Sequence, residues 1–207
     1  MSTIYYNSAV ARLCGNNGII KAVLLQYIYN YHKPNIRKGA GTPACIKLAE
    51  FVYRYTSGDK PLWCRSYIHK ILKDLETDEH LFVAREGILP VYTVSDDVAA
   101  LLQDIEPINI GFNLELACKR GIHIAIVGRH LVHMIKKSPD GIAYHIDVNE
   151  MAELNHLSPA QIYRAIGYLQ SHKILNKTQS PRTFPKRGMN LMRSSQPRDP
   201  NLLNMLS

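Results

Sequence analysis

Apolar positions recur with a helical period in several stretches of the chain. In "LSPAQIYRAIGYLQSHKIL", Leu157 to Leu175, the residues Ile162, Ala165, Ile166 and Leu169 fall at i, i+3, i+4 and i+7 and form one apolar stripe. Ser158 suits the N-cap, Pro159 the first helical position, and Gln161 the reciprocal position of a capping box. Gln161, Arg164, Tyr168 and Ser171 make a second, polar stripe on another face. The first stripe requires a core; the second has no structural need of its own.

The pattern occurs twice. "SYIHKILKDLETDEHLFV" from Ser66 aligns without a gap on "AQIYRAIGYLQSHKILNK" from Ala160, pairing Ile68 with Ile162, Leu72 with Ile166, Leu75 with Leu169 and Leu81 with Leu175. Upstream, "KLAEFV" at Lys47 echoes "EMAELN" at Glu150, which pairs Leu48 with Met151 and Phe51 with Leu154. Further back, "YNSAVARLCG" at Tyr6 echoes "FNLELACKRG" at Phe112, with Asn7 on Asn113, Ala11 on Ala117 and Gly15 on Gly121. A long apolar segment follows each of these glycines. The extra residues of the first copy fall in "PNIRKGAGTP" and "YTSGDKP", both rich in turn formers.

Each copy therefore predicts a long helix, a short helix, a turn, an amphipathic helix and an extended pair. In the second copy the short helix is capped at Asp147, and "IAYHI" before it reads as a brief strand. In the first, "LFVAREGILPVYTV" reads as a hairpin about Glu86-Gly87; in the second, "ILNKTQSPRTFPKRGMNLMR" reads as a looser one. The expected fold is mainly α with small β-hairpin wings, as two winged helix-turn-helix domains in tandem. The boundaries are 1–94 for the first domain, 95–111 for a linker with the short helix "SDDVAALLQDIEP", 112–195 for the second domain, and 196–207 for a C-terminal tail. The order N-x-x-[apolar]-A-x-x-x-G, a long apolar helix and the helix in "WCRSYIHKILKDLETDEHLF" resembles phage and plasmid replication proteins, with "VYTV" at Val91 resembling the closing strand of a wing. That resemblance implies a winged-helix initiator or replisome organiser. Winged-helix transcription regulators share nearly all of these motifs.

Charge sharpens this picture. The 207 residues carry 25 Lys and Arg against 17 Asp and Glu, a formal net charge of +8. The acids gather in the first half, at Asp74, Glu76, Asp78, Glu79, Asp96 and Asp97, whereas Lys173, Lys177, Arg182, Lys186, Arg187, Arg193 and Arg198 run without an acid until Asp199. A basic surface of this kind suits a polyanion. In a winged helix the second helix of the helix-turn-helix enters the major groove, where Gln161 can pair with adenine and Arg164 with guanine, while Tyr168 and Ser171 reach phosphates. The other reading of that stripe is a plain solvated face. Arg182, Lys186 and Arg187 sit at a hairpin tip stiffened by Pro181 and Pro185 and suit the backbone or minor groove. In the first copy Arg65, Lys70 and Lys73 can hold phosphates, but Asp74 and the acids after it repel DNA; that copy serves equally well as a protein-binding surface.

No enzyme constellation accompanies these features. "GAGTP" at Gly39 lacks the Gly-Lys-Ser/Thr of a phosphate loop, and neither G-x-S-x-G nor H-E-x-x-H occurs. His123, His130 and His133 share one helix face but lack a Cys or carboxylate at metal spacing, so they read as packed or surface histidines and no metal or cofactor is expected. Cys14, Cys45, Cys64 and Cys118 form no C-x-x-C pair and read as reduced, mostly buried thiols. No stretch approaches ~20 apolar residues, and "MSTIYYNSAVARLCG" lacks the order of a signal peptide, so the expectation is a cytoplasmic protein without a membrane span. Tyr27, Tyr29 and Tyr31 suggest a helix packed on several sides. The apolar end "DPNLLNMLS" is expected to dock on its own body or a dimer partner. The expected function is a non-enzymatic protein that binds double-stranded DNA, most like a replication initiator. The alternatives are a transcription regulator, or an adaptor for a host or replisome protein without a DNA site.

Overall fold

The computed structural model describes residues 2–37, 44–86, 89–103, 109–138, 141–177, 189–194 and 196–206. The chain divides into two compact units: an N-terminal unit, Tyr5–Ile110, and a C-terminal unit, Gly111–Ser207 together with Met1–Ile4. Within the C-terminal unit the amide of Leu114 donates to the carbonyl of Ser2. Both units are mainly helical with small antiparallel sheets.

The elements run β1 (Thr3–Asn7), α1 (Ser8–Leu13), α2 (Gly18–Arg37), β2 (Ala44–Cys45), α3 (Leu48–Arg54), β3 (Thr56–Ser57), β4 (Lys60–Pro61), α4 (Arg65–Thr77), β5 (Leu81–Glu86), β6 (Leu89–Val94) and α5 (Asp96–Gln103). After them come β7 (Asn109–Asn113), α6 (Leu114–Arg120), α7 (Ile122–Lys137), β8 (Ile142–Ile146), α8 (Val148–Asn155), α9 (Pro159–Ser171), β9 (Leu175–Lys177), β10 (Met189–Arg193) and α10 (Pro200–Leu206). Each unit holds one three-stranded antiparallel sheet, ordered β2-β6-β5 in one and β8-β10-β9 in the other. In both, the last strand lies in the middle, and the strand that precedes the helix pair lies at an edge. Val91 of β6 pairs with Cys45 and Ala84; Leu191 of β10 pairs with Ala143 and Lys177. The extra residues "YTSGDKP" of the first copy make a separate hairpin, in which Thr56 pairs with Pro61.

The repeat holds at the level of single bonds. Asn7 and Asn113 are both buried N-caps: the Asn7 side chain accepts from the amides of Ala9 and Val10, and the Asn113 side chain from that of Leu116. Tyr6 and Phe112 before them are fully enclosed, and Gly15 and Gly121 both turn through positive φ. The amphipathic helices α4 and α9 end alike. The amides of Glu79 and Lys173, both at positive φ, donate to the carbonyls of Glu76 and Gln170, and those of His80 and Ile174 to the carbonyls of Leu75 and Leu169. Later, Ser95 and Ser194 donate back to the carbonyls of His80 and Ile174. Ile68, Leu75, Leu81, Ile162, Leu169 and Leu175 are all buried, as the gapless alignment of these segments requires.

The short helices pair differently from the sequence expectation. Phe51 is enclosed while Leu154 is 41% exposed, and the caps Lys47 and Asp147 align Phe51 with Met151 and Tyr55 with Asn155. The shift is three residues, nearly one helical turn, which leaves the same face inward in either register. In the N-terminal unit that inward face meets α2 in an aromatic cluster: the Tyr27 ring lies 5.1 Å from Phe51, which lies 4.6 Å from Tyr55. Tyr29 is also buried, whereas Tyr31 reaches the surface, where its hydroxyl contacts Glu50.

Each unit closes with a helix laid on its first two. α5, in the stretch expected to link the copies, packs on α1 and α2, and the Asn7 side-chain amide donates to the carbonyl of Leu101. α10 packs on α6 and α7, with Leu202 and Leu206 buried. Gly128 makes room for it, since a Cβ there would collide with the Leu206 Cδ2. The Asp199 carboxylate caps α10 by accepting from the amides of Asn201 and Leu202.

Leu169→Ala should destabilise the C-terminal unit by about 2–5 kcal/mol, and Leu75→Ala the N-terminal unit by a similar amount, as buried Leu truncations do; denaturant melts read both. Deleting residues 199–207 uncovers Gly128 and should lower the melting temperature of the C-terminal unit. A melt indistinguishable from that of the full chain would show that α10 adds nothing to it.

Candidate nucleic-acid interface

α9 forms where its sequence directs. Ser158 Oγ accepts from the Gln161 amide at 3.3 Å, Gln161 Oε1 accepts from the Ser158 amide at 2.8 Å, and Pro159 opens the helix. Ile162, Ala165, Ile166 and Leu169 are buried, and α7 is the helix they pack on. Ala160, Tyr163, Arg164, Gly167 and Ser171 face outward. Tyr163, 56% exposed, is therefore the largest outward side chain of the helix. The polar stripe drawn from the sequence lies to one side of this face, and its members have unequal freedom.

Arg164 is exposed and close enough to His123 of α7 to disfavour that imidazole's charged form. Gln161 is half-buried, and its side-chain oxygen is engaged in the cap, so a bidentate contact to adenine would have to break the capping box. Tyr168 is half-buried with its hydroxyl enclosed and without a hydrogen-bond partner among the described residues, so the phenol does not extend toward a phosphate. Its ring is stacked on His172 at 4.0 Å, and the Arg120 guanidinium stands 5.9 Å from the ring centroid. Ser171 is exposed, but its hydroxyl donates to the carbonyl of Tyr168. Arg182, Lys186 and Arg187, expected from the sequence at a hairpin tip, lie outside the described residues.

The turn from α6 into α7 thus runs along the polar edge of α9 and adds Arg120 and His123 to its surface. Sequence reasoning missed Arg120, Tyr163 and His172, and it read His123 only as a packed or surface histidine. Tyr163 was open to detection, because it follows Ile162 directly and so falls outside the apolar stripe. Arg120 comes from another helix, and no periodicity within α9 points to it.

α4 of the N-terminal unit presents the same backbone with a different charge. Arg65, Lys70 and Lys73 are exposed along it, and the Tyr67 hydroxyl donates to Asn17 Oδ1 at 3.0 Å. Its C-terminal end is acidic: Glu76, Asp78 and Glu79 are exposed and Asp74 is half-buried. Asp78 Oδ2 accepts from Lys21 Nζ at 2.6 Å, and this ammonium, itself buried, holds the Asp78 carboxyl below the usual range. α9 carries no acid at all.

His130 of α7 lies 3.3 Å from the side-chain amide nitrogen of Asn155, which also donates to the carbonyl of Met151. Burial pushes the pKa of His130 down, and burial followed by the Arg164 charge does the same to His123. Among the described residues no group of His, Cys, Asp or Glu is arranged to hold a metal. Cys14 is buried and Cys118 half-buried, but Cys64 is exposed at the start of α4, unlike the mostly buried thiols expected. No helix among the described residues is long and apolar enough to cross a membrane. Comparison with protein-family models, curated proteins and solved structures finds no match to this chain.

The two depressed histidines make stability depend on pH. The unfolded chain takes up protons near pH 6.5 while folded His123 and His130 still resist them, so stability falls as pH drops through about 6.5 and levels off below the folded values. Thermal melts of the protein from about pH 7.5 to about pH 5 should show this decline. His130→Gln should flatten part of it, and a profile unchanged by that substitution would remove His130 as a contributor.

Proposed function

We propose that both units are winged helices and that the protein binds double-stranded DNA through the C-terminal unit, with α9 as the recognition helix. The short helix, turn and amphipathic helix, followed by a sheet whose last strand lies centrally, support this reading for each unit. The observation that carries the DNA assignment is the outward face of α9: Tyr163 and Arg164 are exposed on a helix without acids, in a chain segment without acids from Leu154 to Arg198. Arg164 then reads guanine in the major groove, and the exposed Tyr163 supplies apolar contact to thymine methyl groups. Arg182, Lys186 and Arg187 follow in sequence between β9 and β10, outside the described residues, and in this reading they hold the backbone or minor groove.

The biological role we assign is initiation of replication in a phage or plasmid setting, on the motif resemblance of the first copy. Regulation of transcription is the alternative that uses the same interface. A footprint on the DNA that flanks the gene separates the two, since iterated sites indicate an origin and a palindrome at a promoter indicates a regulator. For the N-terminal unit, the acidic end of α4 favours a protein partner over DNA.

Arg164→Ala should cost about 1–3 kcal/mol on the preferred duplex and relax preference at one position. Replacing Arg182, Lys186 and Arg187 together should weaken matched and scrambled duplexes alike, and each lost phosphate contact should flatten the salt slope by about 0.9. Binding titrations over a salt series measure both. Equal affinity and slope for wild type and both variants on either duplex would overturn the DNA assignment in favour of an adaptor.

A further inference from the structure

We propose that Arg120, Tyr168 and His172 form a stacked phosphodiester-binding site at the C-terminal half of α9, separate from the base-reading face and from the wing. The proposal rests on the DNA reading above and names a contact that reading does not contain. Its basis is geometric. Arg120 is the last residue of α6, and Gly121, at φ 103, turns the chain straight into α7. The side chain of Arg120 is exposed, yet its guanidinium is placed 5.9 Å from the centroid of the Tyr168 ring, within range of a cation–π contact. The same ring is stacked on the His172 imidazole, 4.0 Å away and tilted by 25°. The His172 ring is fixed in turn, because Nδ1 lies 2.9 Å from the carbonyl of Tyr168 and 3.0 Å from Ser171 Oγ. A planar guanidinium held over an aromatic ring keeps its N–H edge available for two oxygens of a phosphate, so less side-chain entropy is lost on binding.

The surroundings are suited to an anion. Lys173, exposed at positive φ, follows His172 directly, and the amide of Arg198 donates to the carbonyl of His172, which brings a second exposed guanidinium-bearing residue to this end of the helix. The acid nearest in sequence on α6, Glu115, is already paired with Lys119 at 2.6 Å. Asp199, next to Arg198, is taken up in capping α10.

The other copy argues against a purely structural stack. On the same backbone, Asp74 and Asp78 of α4 occupy the positions of Tyr168 and His172, and Lys21 holds Asp78. The same helix end thus forms with acids at these places. The C-terminal unit carries there an aromatic ring whose hydroxyl is buried with no partner among the described residues. In this assignment Tyr168 is a positioning residue, and the guanidinium of Arg120 makes the phosphate contact.

The test is fluorescence anisotropy of the full chain on a short duplex over a salt series, with matched and scrambled sequences. The variants are Arg120→Ala, Tyr168→Leu and Tyr168→Phe, each checked by a thermal melt. Arg120→Ala, at an exposed position, should leave the melt unchanged, weaken both duplexes by the same several-fold factor and flatten the salt slope by about 0.9. Tyr168→Leu should reproduce that loss although Arg120 remains, and Tyr168→Phe, which keeps the ring, should bind like wild type. If Tyr168→Leu fails to fold, the Arg120→Ala titration decides alone. Wild-type affinity and slope in Arg120→Ala, with salt-dependent binding by the wild type, would overturn the stack and leave the DNA reading standing. A loss confined to the matched duplex, with the slope retained, would overturn it too, because Arg120 would then be reading bases. Absence of salt-dependent binding by the wild type would overturn both.

Discussion

Burial of one apolar stripe, Ile162, Ala165, Ile166 and Leu169, against α7 is the constraint from which the C-terminal unit is organised. A helix of 13 residues is marginal in water and is held by packing of its apolar face. Once that face is committed, the rotation of α9 about its axis is fixed. Tyr163 and Arg164 must point outward, and the polar edge through Arg164 and Tyr168 must meet the turn between α6 and α7. The composite surface of Arg120, His123, Arg164 and His172 is thus a consequence of core packing. α10 completes the arrangement, because Leu206 packs over Gly128 of α7.

The way each amphipathic helix ends matters as much as its stripe. Glu79 and Lys173 take up the left-handed conformation that glycine usually supplies, at a cost of roughly 1–3 kcal/mol for a non-glycine residue. In return the next residue, His80 or Ile174, bonds back to the helix, and the chain reverses into the strand that begins the hairpin. The Ser95 and Ser194 amides then tie the end of the hairpin to that same turn. Two copies that preserve this set of bonds while differing at most side chains show that the backbone device is the shared feature.

On this common frame the electrostatics have diverged. α4 ends among Asp74, Glu76, Asp78 and Glu79, with the buried Lys21 ammonium drawn to Asp78; α9 ends among His172, Lys173 and Arg198, where the acid Asp199 is taken up in capping α10. A buried lysine needs a counter-charge, so Asp78 is part of the N-terminal unit's own structure, and it also makes that end of α4 a poor neighbour for DNA. The same element can accordingly face different partners in the two units.

The sequence by itself determined the local features. The Ser158–Pro159–Gln161 cap, the buried stripes of α4 and α9, the matched Asn7 and Asn113 caps, the strand at Ile142–Ile146 and the hairpin about Glu86 were all legible, because each depends on residues within a turn or two of one another. Only the tertiary structure decided what depends on separate elements. Phe51 matches Met151 and not the sequence-paired Leu154, since a slip of one helical turn changes nothing that periodicity can register. α5 lies on α1 and α2, with Val98 buried and a bond from Asn7 to Leu101, 94 residues away. Tyr168, drawn from spacing as an open polar position, has its hydroxyl enclosed and its ring between the reach of Arg120 and His172. Spacing along one helix says which side chains share a face, but how open that face is depends on the helices packed beside it, and those are fixed only when the chain folds.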